Sequence, residues 1–259
     1  MKTKIFNAAL LFFVFAVTTA LFSCGGADMD ENPEPYYDPS NGHEFVDLGL
    51  SVKWATCNVG ADNPWDYGNY FAWGETAPKS DYSWATYKWC NGSSHTLTKY
   101  NTNEIFGIVD NKLTLEPADD AAVVNWGGKW RMPTYNDYAK LRANCYWEWT
   151  TNYNGRGVSG YIVYKAKADA DKGVIKNTEN NATTSATYSL SDNHIFLPAA
   201  GCIIGTDSYD VGSRGFYWLA MTCEDNWADA TCINYRSGYV DHDDGSRRCG
   251  GSVRPVLQK

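Results

Sequence analysis

The amino-acid sequence predicts an α+β fold, rich in strands and loops and carrying about two short helices. Frequent Gly, Asn and Asp residues punctuate short runs of Val, Ile, Tyr, Phe and Trp, the pattern of strands joined by turns. Two segments carry helical signals, and no long internal repeat is evident, which disfavours a propeller or solenoid. Aromatic residues are plentiful (11 Trp, 18 Tyr, 10 Phe) while charged residues make up 20% of the chain, a balance that fits a packed core rather than disorder.

At the start of the chain, Lys2 and Lys4 precede an apolar run from Ile5 to Phe22, broken by Asn7 and Thr18-Thr19. A short positive region followed by an apolar one predicts a secretory signal over residues 1–23, because polar sequence follows and no stop-transfer cluster appears. The ending Leu21-Phe22-Ser23-Cys24 resembles a bacterial lipoprotein processing site, which implies that Cys24 becomes the lipid-bearing first residue and that the membrane is met through the lipid alone. Acylation contributes about 0.8 kcal/mol per buried methylene, and stable anchoring needs more than one chain. Residues 24–43, acidic and proline-bearing, are expected to form a flexible tether, since they cannot bury enough apolar area to fold alone. An acid-rich tract after the lipidated cysteine resembles the surface-export signal of lipoproteins in the Bacteroidetes lineage. That implies the outer face of an outer membrane.

Residues 44–259 are expected to fold as a single domain, because no second linker interrupts them. Strands are expected at Glu44–Asp47, Val52–Cys57, Tyr70–Trp73, Gly160–Lys167, Ile195–Leu197, Gly215–Leu219, Thr231–Arg236 and Ser252–Leu257. A helix is expected over Pro117–Ala122, where a proline and acids occupy the first turn. Another is expected from Thr134 to Asn144, with Thr134 as cap, Asp137 as a capping-box partner, and Tyr138, Leu141 and Cys145 at helical spacing. The polar, Asn/Thr-rich insertion from Ala168 to Leu190 is expected to be a hairpin with a mobile tip.

The net charge of −8 and the absence of a basic stripe argue against nucleic acid as a partner. Beyond Cys24 there are seven cysteines: Cys57, Cys90, Cys145, Cys202, Cys223, Cys232 and Cys249. An odd number in an exported chain leaves at least one unpaired or paired between chains. None has zinc-ligand spacing, so no metal and no cofactor is expected.

The tail, about residues 217–251, alternates a regular framework with side chains that share no chemistry. Gly215 to Trp218, Ile233, Tyr235, Gly238, Val240 and the closing Gly250 to Val256 form the framework. Between them stand Cys223, Asp225, Asn226, Trp227, Asp229, Cys232, Asn234, Arg236, Tyr239, Asp241, His242, Asp243, Asp244, Ser246, Arg247, Arg248 and Cys249. No single packing or catalytic demand selects such a mixture, so these residues, Arg247 and Cys249 set aside, are the candidate ligand-binding set. Strand alternation in Thr231–Arg236 places Thr231, Ile233 and Tyr235 on one face and Cys232, Asn234 and Arg236 on the ligand side. Cys223, Cys232 and Cys249 are expected to be exposed.

Several phrases together resemble the Fibrobacter succinogenes major paralogous domain: Phe45 to Ala61, Phe71-Ala72-Trp73-Gly74-Glu75-Thr76, Gly127 to Thr134, Phe196 to Gly201, and Ser252-Val253-Arg254-Pro255-Val256. Trp130-Arg131-Met132-Pro133-Thr134 and the terminal Val-Arg-Pro-Val are also similar to the formylglycine-generating-enzyme-like branch of the C-type lectin fold. The resemblance implies a C-type lectin-like domain. In the phrase itself, Pro133 pushes Met132 out of the helical region, so Thr134 can start a helix. Arg131 and Arg254 are expected to bond backbone carbonyls or a buried carboxylate and hold the domain closed.

Some domains of this kind are variable proteins of diversity-generating retroelements, in which template adenines are randomised. An Asn codon altered at its first two bases can yield most residue types, but not Lys, Glu, Gln, Met or Trp. None of those five occurs between Tyr239 and Gly251; they make up about a fifth of average sequence, so such a run arises by chance in roughly one window in twenty. Met221, Glu224 and Trp227 stand against that origin at their own positions. The resemblance implies a surface recognition protein whose ligand, a protein or a glycan, differs among copies, with Tyr, Trp and Arg as anchors. One alternative is calcium-assisted glycan binding through Asp225, Asn226, Asp229 and the acids of 241–244, with Trp227 stacking on a sugar. The other is an oxidase using paired cysteines, for which Cys249 has no second cysteine at close spacing.

Overall fold

The structure, a computed structural model, describes residues 38–259 apart from Pro39, Thr178, Asn181 and Glu224. The signal segment, Cys24 and the tether as far as Tyr37 lie outside the described residues. In chain order the elements are β1 (Phe45–Val46), β2 (Val52–Ala55), α1 (Ala121–Trp126), β3 (Trp130–Arg131), α2 (Tyr135–Asn144), β4 (Cys145–Thr150), β5 (Gly160–Lys165), β6 (Ile175–Lys176), β7 (His194–Pro198), β8 (Cys202–Ile204), β9 (Asp207–Tyr209), β10 (Arg214–Thr222), β11 (Asp229–Arg236), β12 (Tyr239–Ser246) and β13 (Val256–Gln258). They form sheets of order β1-β2-β13-β3, β6-β4-β5-β7 and β10-β11-β12, plus the hairpin β8-β9. The domain is α+β and strand-rich.

Local chemistry explains where elements start. Pro117–Asp119 makes a single 3-10 turn, and α1 begins only after Asp120, whose Oδ1 accepts from the N–H groups of Ala122 (2.8 Å) and Val123 (3.1 Å). The expected helix from Pro117 therefore starts late. α2 carries the expected capping box: Thr134 Oγ1 accepts from Asp137 N–H at 3.2 Å and Asp137 Oδ2 accepts from Thr134 N–H at 2.9 Å. Thr134→Ala is expected to remove about 1 kcal/mol of stability and Thr134→Ser very little, read as the shift in urea midpoint at constant slope.

Tyr70–Trp73, expected as a strand, makes one bridge, Phe71 to Gly251. Ser252–Leu257 pairs as a strand only from Val256, since Pro255 has no N–H to donate. The insertion forms no hairpin among the described residues. It lays β6 parallel to β4, and Asp171 holds its return by accepting from Ser185 N–H (2.6 Å) and the Tyr188 hydroxyl (2.7 Å). The fold also begins ahead of Glu44. Trp130 Nε1 donates to Ser40 O at 2.6 Å, and the His43 ring stacks on Trp126 at 3.9 Å.

Arg254 donates to Ala55 O (3.1 Å), Thr56 O (2.9 Å) and Asn58 Oδ1 (2.8 Å), joining the last strand to the second. Arg131 bonds the Asp137 carboxylate at 2.7 Å and Met132 O at 3.0 Å. Both residues act as expected from their sequence context.

Two large apolar clusters flank β11. Ile233 and Tyr235 join Tyr217, Leu219, Tyr161 and Leu141 on one side. Ala230 and Cys232 join Trp218, Trp73, Tyr100 and Trp130 on the other. The second cluster exists because the long, aromatic-rich excursion between β2 and α1 folds over that face, fixed by Trp73 Nε1 to Leu219 O (2.8 Å) and Trp218 Nε1 to Phe71 O (2.8 Å).

Candidate binding face

The β11–β12 hairpin turns through Ser237-Gly238, with Arg236 opposite Tyr239. Gly238 has φ +76, which glycine adopts without strain, and its N–H donates to the Tyr161 hydroxyl at 3.0 Å. The turn is thus pinned to β5. From it β12 runs as an edge strand in which Val240 and Gly245 are buried while Asp241, His242, Asp243 and Asp244 all stand exposed.

Exposure divides the predicted set. Asp225, Arg236, Tyr239, Asp241, His242, Asp243 and Asp244 are exposed, and Asn226, Asp229, Ser246 and Arg248 are half-buried. Cys223 (5% exposed), Trp227 (8%), Cys232 (0%) and Asn234 (4%) are withdrawn from solvent. Of the three residues expected on the ligand side of β11, only Arg236 reaches water. The alternation reading took the sheet as one-sided, whereas the aromatic excursion covers its second face, taking in Cys232 and packing Trp227 against Tyr82, Tyr87 and Leu97. None of the seven cysteines is paired.

Asn234 is nevertheless part of the face from below. Its Oδ1 accepts from Arg214 Nε at 2.6 Å, its Nδ2 donates to Asp243 Oδ2 at 2.7 Å, and Arg214 itself lies 3.5 Å from Asp243 and 3.8 Å from Asp210. Next to this chain, Asp241 holds His242 at 3.0 Å, and the His242 ring meets Tyr135 of α2 edge-on at 5.0 Å. The Arg236 guanidinium sits over the Tyr239 ring at 5.4 Å. Asn226 and Asp229 are spent on their own turn, Asn226 Nδ2 donating to Asp229 Oδ2 at 2.7 Å. Burial, followed by the Asp244 charge, pushes the Asp229 carboxyl up from its ordinary range. Among the described residues no three His, Cys, Asp or Glu side chains converge as a metal site would require.

A concavity of about 280 Å³ opens beside the β12 end of the tail. Phe216, Ile204, Cys202 and Cys249 give it apolar walls, and Asp210, Arg214, Ser246 and Arg248 give it polar ones. Ser246 and Arg248 belong to the predicted set, while Cys202, Ile204, Asp210, Arg214 and Phe216 do not. Arg214, a charge directly before the framework Gly215, is the signal that points to them. Cys249 also has a companion, Cys202, brought there from 47 positions away (249 − 202) by the paired bridge of Ile203 with Gly250. Burial pushes the Cys249 thiol up to about 11 and raises that of Cys202 as well. A wider groove of about 700 Å³ lies elsewhere, lined by Leu48, Lys140, Lys165 and Lys172 among others, and includes none of the predicted residues.

No family model, curated protein or solved structure matches this chain.

Proposed function

We propose that this protein is a recognition lipoprotein of the cell surface, anchored through Cys24, that displays a diversified binding face on a C-type lectin-like scaffold. The supporting observation is the run Asp241–Asp244. Four consecutive side chains reach solvent on one strand, between Val240 and Gly245, which are buried. Surface substitutions at such positions usually change stability by within about 0.5 kcal/mol, so this segment can vary without loss of the fold. Around it the scaffold is fixed by Arg247, fully buried, which donates to Tyr100 O at 2.8 Å and Asp229 O at 3.1 Å. The partner is a protein or glycan met at the cell surface.

Sequencing the locus and the 3′ end of the gene across a cultured population tests this. The expected result is a reverse transcriptase beside a near-copy of the tail that differs at adenines. Variation should concentrate at Arg236, Tyr239 and Asp241–Asp244 and spare Arg247 and Cys232. An invariant tail without such a copy would sink the reading.

A further inference from the structure

We infer that a groove on the outer face of the β4–β5 pair seats one ring of a neutral sugar. The groove, of about 300 Å³, belongs to the scaffold: none of the candidate tail residues lines it, so it does not rest on diversification of the β12 face. Strand register builds it. Tyr146 pairs with Tyr164 and Glu148 with Ile162, so these four share one face, while Trp147, Tyr161 and Val163 on the other face join Ile233 and Tyr235 in the core. Tyr164 carries the argument. It is 2% exposed, and among the described residues its hydroxyl meets no hydrogen-bond partner, whereas the neighbouring Tyr153 hydroxyl meets His194 Nε2 at 2.9 Å and that of Tyr188 meets Asp171 Oδ2 at 2.7 Å. Tyr138 also has an unpaired hydroxyl, but that one is sealed from water, while the Tyr164 hydroxyl stays open to the groove. Buried polar groups are paired as a rule, so an unpaired hydroxyl on a groove wall marks the place of a ligand atom.

The other polar groups of the groove are half engaged. Glu148 Oε1 accepts from Lys176 Nζ at 2.9 Å, which neutralises the carboxylate and leaves Oε2 to accept. Asn152 Oδ1 accepts from Gly157 N–H at 2.6 Å, which leaves Nδ2 to donate. One acceptor, one donor and a hydroxyl that serves as either, with no net charge among them, match the hydroxyls of an uncharged polyol rather than an ion. Leu190, 41% exposed, and the Tyr153 ring, held against Phe196 at 3.9 Å, add apolar surface for the C–H face of a ring. A groove of this volume lies at the lower end for small-molecule sites, so it takes a single pyranose, free or within a longer glycan.

Calorimetric titration of the full chain with the methyl glycosides of glucose, galactose and mannose, and with cyclohexanol, tests this. At least one glycoside is expected to bind saturably, and cyclohexanol, a ring of the same size with one hydroxyl, about tenfold more weakly or worse. Tighter binding of a trisaccharide of the preferred sugar identifies a glycan chain as the source, and equal affinity a single sugar. Tyr164→Phe is expected to keep the melting temperature and to lower glycoside affinity about five- to tenfold, because the hydroxyl bonds nothing until the ligand arrives. Leu190→Ser, at an exposed position, is expected to lower it about threefold, and Asp241→Ala, outside the groove, to leave it unchanged. Absence of saturable binding by all three glycosides, equal affinity for cyclohexanol, or full affinity in Tyr164→Phe overturns the inference. So does a marked fall in the melting temperature of Tyr164→Phe, which would assign the hydroxyl a structural bond. A tail that varies in the population with no glycoside binding removes this inference alone, whereas an invariant tail with Tyr164-dependent binding removes only the diversification reading.

Discussion

Gly215→Ala is expected to destabilise the domain by about 3–5 kcal/mol, a large part of the usual stability of a domain. Gly215 lies opposite Tyr235 across β10 and β11, and a Cβ there would sit 1.9 Å from Tyr235 Cζ. The ring cannot move aside. Its hydroxyl donates to Leu197 O and Pro198 O, both at 2.8 Å, and it stacks near Tyr217 at 5.8 Å with Tyr161 and Trp149 edge-on. The backbone of Gly215 has no positive φ, so the effect is steric rather than conformational. Thermal melts should show a fall of roughly 10 °C. The double variant Gly215→Ala/Tyr235→Leu should cost less than the sum of the singles, since the clash is shared. Additive costs would show that Gly215 is not there to admit Tyr235.

Arg254→Ala should cost a similar amount, about 3–5 kcal/mol. The side chain is 1% exposed, and no carboxylate neutralises it among the described residues; its Nε donates to one amide oxygen and its Nη1 to two carbonyls, while Nη2 is buried without a partner. Burial draws its pKa below the ordinary arginine value. Truncation would leave those three acceptors dry and open a cavity between β2 and β13. Arg254→Lys is expected to recover little, because one ammonium cannot reach acceptors spread across a fork. Denaturant unfolding checks both, and a lysine variant as stable as the natural chain would assign Arg254 a purely electrostatic role.

Much of this architecture can be read from local signals. The capping box of α2, the β10 and β11 strands and the anchoring roles of Arg131 and Arg254 all follow from residues close in sequence or from strong phrases. β4 escaped because Cys145–Thr150 follows α2 without a turn residue, and β12 because four successive polar or charged residues do not alternate. The face itself was half legible. Which tail residues are variable-looking is a property of composition, but which of them meet water depends on the excursion between β2 and α1, and no local pattern says where a loop of that length comes to rest. The same holds for the concavity, since Cys202 and Arg214 reach Arg248 and Cys249 only through sheet pairing.

The position of β13 has a consequence for how errors in this gene are handled. The strand β13 lies between β2 and β3, so that sheet is completed only by residues downstream of the tail. The tail proposed to vary lies upstream of it. Any copying event that introduces a stop codon or shifts the reading frame also deletes the strand that closes the domain. Such a product would lack the strand that joins β2 to β3, so, on the proposed reading, closure of this sheet would act as proofreading at the protein level, favouring tails copied in frame.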